Sequence, residues 1–94
     1  MATPKSRIEI DYTVRERELL VRRAICDLIR TQRKRRSVLT QERLADLSEI
    51  SFEHLNHIEN YKSGVSVEVL ERIARALGFV RLSEFLALDE HEIL

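Results

Sequence analysis

The stretch Thr40-Gln-Glu-Arg-Leu-Ala-Asp-Leu-Ser-Glu-Ile-Ser-Phe-Glu-His-Leu-Asn-His-Ile-Glu-Asn60 decides the fold of this 94-residue chain. Its apolar residues fall at helical spacing in two short runs. Leu44, Ala45 and either Leu47 or Ser48 lie inward in the first, Leu55 and Ile58 in the second. A hydroxyl residue stands before each run. Thr40 and Ser51 are each placed to accept a hydrogen bond from an unsatisfied amide of the following first turn. Leu47 to Ile50 leave room only for a tight turn between them. The stretch reads as two short helices joined at an angle.

Outward from this unit the helical pattern continues. On its N-terminal side Leu20, Ala24, Ile25, Leu28, Ile29 and Gln32 share one face, and Thr13-Val-Arg-Glu16 has the form of a capping box. This predicts a long first helix reaching Arg36, with a break near Glu18 to Leu20 as an open alternative. Ser37 to Leu39 is a connector. On the other side Ser63-Gly64 ends the third helix, and Ser66 caps a fourth with Val69, Leu70, Ile73, Ala74 and Leu77 inward. Gly78 suits the C′ position of that helix, and Leu82 to Leu88 reads as a fifth. Arg7-Ile-Glu-Ile-Asp-Tyr12 alternates apolar and charged residues, as a short strand or an extended arm does. With two glycines and one proline, the chain carries little that interrupts helices. The expected fold class is all-α, with five helices and an N-terminal extension: residues 1–18 as the extension, 19–88 as the domain, 89–94 as an acidic tail.

The length suits one domain with one modest core. No apolar run approaches the roughly 18 residues of a membrane span, and the N-terminus has no apolar signal region. A cytoplasmic location is expected. The lone Cys26 excludes an internal disulfide and reads as a small core residue beside Ile25. The chain has no glycine-rich phosphate loop and no nucleophile–base arrangement, so neither enzymatic activity nor a cofactor is expected. His54 and His57, with Glu53 nearby and Cys26 elsewhere, do not make a zinc site. A structural site takes four ligands, and these two histidines diverge by about 60° around the helix.

The formal net charge is zero, yet its distribution is uneven. Residues 1–43 carry 12 Lys/Arg against 6 Asp/Glu, and residues 44–94 carry 4 against 10, which concentrates positive charge before the two-helix unit. Arg30, Arg33, Lys34, Arg35 and Arg36 form its centre; the plainer reading is a solvated helix end whose cations favour the helix dipole. With Leu55 and Ile58 inward, Glu53, Asn56, His57 and Asn60 face outward, flanked by Phe52 and His54. A short helix with such a face can enter the major groove of double-stranded DNA. There Asn56 can pair with adenine, His57 with guanine or a phosphate, and Glu53 with the cytosine amino group. Phe52 either touches a thymine methyl or packs beside Glu59. Asn60 suits a phosphate.

Five segments carry a family resemblance: Ile29-Arg-Thr-Gln-Arg33, Thr40-Gln-Glu-Arg-Leu-Ala45, Ile50-Ser51, Leu55 to Glu59, and Ser66 to Leu77 followed by Gly78. In order and spacing the chain resembles the lambda-repressor/Cro-like (XRE) helix-turn-helix transcriptional regulators, among them restriction–modification controller proteins and phage repressors. The resemblance covers Ile25 to Leu86, with single insertions near Ser37–Leu39 and Val80–Leu82. It implies a five-helix lambda-repressor-like DNA-binding domain in a transcription regulator, for instance a repressor. It implies that Gln41 holds a phosphate oxygen and that Arg33 and Glu59 form a structural pair between the first and third helices. Thr40, Arg43, Ser51, Asn60, Lys62 and Arg36 are the further phosphate contacts expected with it. Three residues depart from the family pattern: Glu49 stands where glycine is usual in the turn, Gln32 replaces an apolar residue, and Glu53 sets an anion against DNA.

Specific operators are commonly palindromic, and a homodimer would place two reading helices about 34 Å apart. Phe79, Val80, Leu82, Phe85 and Leu86, with Leu88, are the expected dimerisation cluster. The alternative is a protein-interaction module such as an antitoxin, in which this cluster or Ile8, Ile10 and Tyr12 covers a protein partner.

Overall fold

The computed structural model describes residues 12–88, so the expected arm or strand at 7–12, apart from Tyr12, and the acidic tail lie outside the described residues. Five helices follow in order: α1 Val14–Lys34, α2 Gln41–Ser48, α3 Phe52–Glu59, α4 Val67–Ala76 and α5 Leu82–Leu86. The fold is all-α, as expected, and α5 ends two residues earlier than the sequence pattern indicates.

Local chemistry accounts for where the helices begin. At α1 the Thr13 hydroxyl accepts from the Glu16 N–H, and the Glu16 carboxylate accepts from the Thr13 N–H at 2.8 Å, completing the capping box. The Thr13 amide, and after it the Thr13 hydroxyl, hold the Glu16 carboxyl below its ordinary range. This cap therefore supports the helix above the ordinary carboxylate range and is lost as pH falls through the lowered value. No glycine or proline interrupts residues 14–34, and α1 runs without a break through Glu18–Leu20. Thr40, Ser51 and Ser66 cap α2, α3 and α4 through their hydroxyls.

The helix ends share one device. After α2, α3 and α4 the chain turns left-handed at Glu49 (φ 57°), Tyr61 (φ 62°) and Gly78 (φ 100°). The amide of the left-handed residue and the one after it bond back in the Schellman pattern: Glu49 N–H to Asp46 and Ile50 N–H to Ala45, Tyr61 to Ile58 and Lys62 to His57, Gly78 to Arg75 and Phe79 to Ala74. Only the last uses glycine. Glu49 thus occupies the strained conformation expected of it, at a cost of about 1–2 kcal/mol. Because glycine also has more unfolded-state entropy to lose, Glu49→Gly is expected to add only about 0.5–1 kcal/mol. Glu49→Ala should bring no gain, and urea unfolding of the two variants checks the difference.

The core forms where Cys26, Leu28 and Ile29 of α1 meet Leu44 and Ala45 of α2, Leu55 and Ile58 of α3, the α4 face Val69, Leu70, Ile73 and Ala74, and Phe85 of α5. α2 packs against both α3 and α4, α1 against α3, and α5 closes on α4. Two inward assignments, and the assignment of Phe85 to a dimer contact, need revision or resolution. Leu20 is 52% exposed, because the N-terminal half of α1 runs past the bundle. Ser48, not Leu47, faces the core. Phe85 is fully buried, edge-on to Phe79 with ring centroids 5.5 Å apart, so its ring is consumed within the protomer rather than offered to a dimer.

Cys26 is fully buried near the Ser63 carbonyl, and burial pushes its thiol above the ordinary range. Gln32 is buried as well. Its Oε1 accepts from Arg36 at 3.3 Å while its Nε2 has no partner, which is the cost of placing an amide at an apolar position.

Candidate nucleic-acid interface

The outward face of α3 is held from beneath by a polar chain through three helices. Arg33 of α1 donates from Nε to Glu59 Oε2 at 2.7 Å and from a terminal nitrogen to Glu59 Oε1 at 2.8 Å. Its other terminal nitrogen donates to the Leu39 carbonyl at 3.3 Å. Gln41, at the start of α2, donates to the same Glu59 Oε1 at 3.0 Å and accepts from the Asn56 amide at 3.3 Å. Asn60 in turn donates to the Asn56 carbonyl at 2.8 Å and to its side-chain oxygen at 3.3 Å. Glu59 is 2% exposed and Arg33 13%. A buried pair of this kind is tolerable because both carboxylate oxygens accept hydrogen bonds and the guanidinium keeps a third bond outside the pair, to Leu39. The Glu59 hydrogen bonds hold the Arg33 guanidinium above its ordinary range, so it stays charged.

This chain fixes the register of α3 against α1 and α2, and with it the side chains at the surface. Glu53 is exposed, and Phe52 is 46% exposed. His54, Asn56 and His57 are half-buried. The Asn56 amide spends one N–H on Gln41 and accepts from Asn60. An amide has two donors and two lone pairs, so one of each remains for an adenine edge.

The expected phosphate contacts divide in three. Thr40 and Ser51 use their hydroxyls as helix caps, and Gln41 and Asn60 use their amides within the polar chain. Arg36 differs from expectation: its guanidinium donates to the Gln32 carbonyl at 2.6 Å and lies over the Phe79 ring, 5.6 Å from the centroid. It seals the end of the core. Arg43 and Lys62 remain exposed, Arg43 with only a 4.0 Å pair to exposed Asp46, which is worth little. In the basic cluster, Arg33 and Arg36 are engaged internally, whereas Arg30, Lys34 and Arg35 are exposed with no ion pair among the described residues.

Of the residues expected to dimerise, Val80 is 72% exposed, Phe79, Leu82 and Leu86 are half-buried, and Phe85 is inaccessible. Among the described residues there is no group of three metal-ligating side chains, and no helix is long and apolar enough to cross a membrane.

Sequence reasoning missed two features here. The Gln41 links to Glu59 and Asn56 depend on how α2 crosses α3, which no local pattern encodes. Tyr61 adopts the left-handed position after α3, where its hydroxyl donates to Asp27 and Arg23 lies 4.6 Å over its ring. The hydrogen bond to Asp27 holds the Tyr61 phenol above its ordinary range.

Residues 29–85, more than half of the chain, match the family model described as Helix-turn-helix. No curated protein and no solved structure gave a match. The matched span begins in the buried part of α1 and ends at Phe85, so it takes in both helices of the Thr40–Asn60 unit and the elements packed on it. The chain belongs to the helix-turn-helix family of DNA-binding domains, of the lambda-repressor/Cro-like (XRE) kind.

Proposed function

We propose that this chain is a sequence-specific, non-enzymatic transcription regulator of the cytoplasm. It binds a palindromic operator as a homodimer and acts as a repressor by occupying it. The observation that carries this reading is the chain Arg33–Glu59–Gln41–Asn56. It joins the phosphate-facing start of α2 to the base-facing side of α3, so backbone contact and base contact are positioned together. Glu53, Asn56, His57 and Phe52 read bases. The α2 amides behind Thr40, with Gln41, Arg43, Asn60 and Lys62, meet phosphates, helped by the favourable dipole of a helix N-terminus. Val80, Leu82 and Leu86 supply the dimer contact.

Binding measured across operator variants separates these roles. Lys62→Ala is expected to weaken binding to every sequence alike and to reduce the salt slope by about 1. His57→Ala and Glu53→Ala are expected to change sequence preference, by about 1–3 kcal/mol at the base each one reads. Gln41→Ala should do both, because it loses a phosphate contact and also releases Asn56. Equal loss on all sequences for His57→Ala would contradict base reading. A response flat with salt would contradict phosphate contact and favour a module for a protein partner.

A further inference from the structure

We propose that the N-terminal half of α1 is a self-association surface on which two copies of this chain pair their first helices antiparallel. Every residue from 12 to 23 is exposed. Within that span Val14 (61% exposed) and Val21 (54%) lie two helical turns apart on one face, continuous with half-buried Ile25. A groove runs along this face between Val14, Arg17, Glu18, Val21 and the Gly64–Val65 loop. It is the core-facing side of α1 carried beyond the core. On a surface helix the face left uncovered by the bundle is typically polar.

Charge on this face selects the occupant and its direction. Arg17 and Glu18 sit between the two valines, and neither makes an ion pair among the described residues. Antiparallel pairing about a two-fold axis between them sets Val14 of one copy against Val21 of the other and Arg17 against Glu18, twice over. Parallel pairing would oppose Arg17 to Arg17 and Glu18 to Glu18, which is repulsive. The face is therefore complementary to itself in one orientation only, as a two-fold interface requires. In that arrangement the start of the second copy's helix reaches the Gly64–Val65 end of the groove.

The overlap spans about 12 Å of helix at 1.5 Å per residue, so the contact is weak by itself. It becomes effective when another contact or a shared DNA already holds copies together. The surface is distinct from the Val80, Leu82 and Leu86 cluster on the C-terminal side. It does not depend on DNA binding.

Sedimentation of the full chain without DNA, over a concentration series reaching the millimolar range, tests the proposal. Arg17→Glu and Glu18→Arg are each expected to weaken one association step about tenfold, and the double swap R17E/E18R to restore it. An equimolar mixture of the two single variants should associate as well as the unaltered chain. Val21→Glu should abolish the step, whereas Leu19→Glu, on another face of α1, should leave it unchanged. All these positions are exposed, and far-ultraviolet circular dichroism checks that each variant folds. Absence of any step sensitive to these charges, failure of the double swap to rescue, or loss with Leu19→Glu but not Val21→Glu would overturn it.

Discussion

Glu59→Ala is expected to destabilise the domain by about 3–5 kcal/mol, the loss typical of a buried ion pair with one partner removed. The reason lies in what the carboxylate leaves behind. Arg33 keeps its charge at 13% exposure with only the Leu39 carbonyl as acceptor, and the Gln41 amide loses its partner in the same step. A domain of this size is stable by about 5–10 kcal/mol in total, so the variant would approach marginal stability. Replacing both members with apolar residues, as in Arg33→Met with Glu59→Leu, is expected to cost much less, since no charge is then stranded. Urea unfolding of the two singles and the double closes the cycle. A loss under about 1 kcal/mol for Glu59→Ala would mean that the pair is effectively hydrated.

Phe85→Ala is expected to cost about 3–5 kcal/mol, because a fully buried ring leaves a cavity that its neighbours fill only in part. Phe79 would lose its edge-on partner as well, and α5 its only fully buried side chain among the described residues. The loss should be the same at low and high protein concentration, since the ring sits in the protomer core. Were Phe85 an interface residue instead, the loss would grow with the dimer fraction and vanish on dilution. Unfolding curves at two concentrations a hundredfold apart distinguish these outcomes.

The two results bear on what a sequence can disclose. Caps and periodicity are local, so Thr13, Thr40, Ser51 and Ser66 located four helix starts correctly, and the α4 face was legible residue by residue. Gly78 and Glu49 were legible as left-handed positions for the same reason. Periodicity also continued through Leu20, where it lost its meaning: helical spacing shows which residues share a face, not whether anything covers that face. The same limit applied to Phe85, whose burial depends on α5 folding back onto α4. At the candidate site, Arg33 with Glu59 was anticipated only through family resemblance. The engagement of Arg36 with Gln32 and Phe79 had no local signal, because an arginine after a helix looks alike whether it faces solvent or lies on an aromatic ring. Nor do residues 15 and 18 positions apart reveal that Gln41 joins Asn56 to Glu59.

The polar chain also gives a physical reason why fold and specificity separate. Arg33, Glu59 and Gln41 set where α3 stands, and none of them depends on the identity of Glu53 or His57. Those outward residues can therefore vary without disturbing the helix that carries them. Under the proposed function, an anion at Glu53 lowers affinity for any duplex through phosphate repulsion and offsets that only where a cytosine amino group is within reach.

Selection of bound duplexes from a random double-stranded DNA pool by the unaltered chain tests whether it recognises a symmetric operator. Operator binding as a dimer predicts enrichment of a two-fold symmetric consensus whose half-sites are centred about one helical turn apart, about 34 Å. Recovery of sequences no different from the starting pool would contradict it.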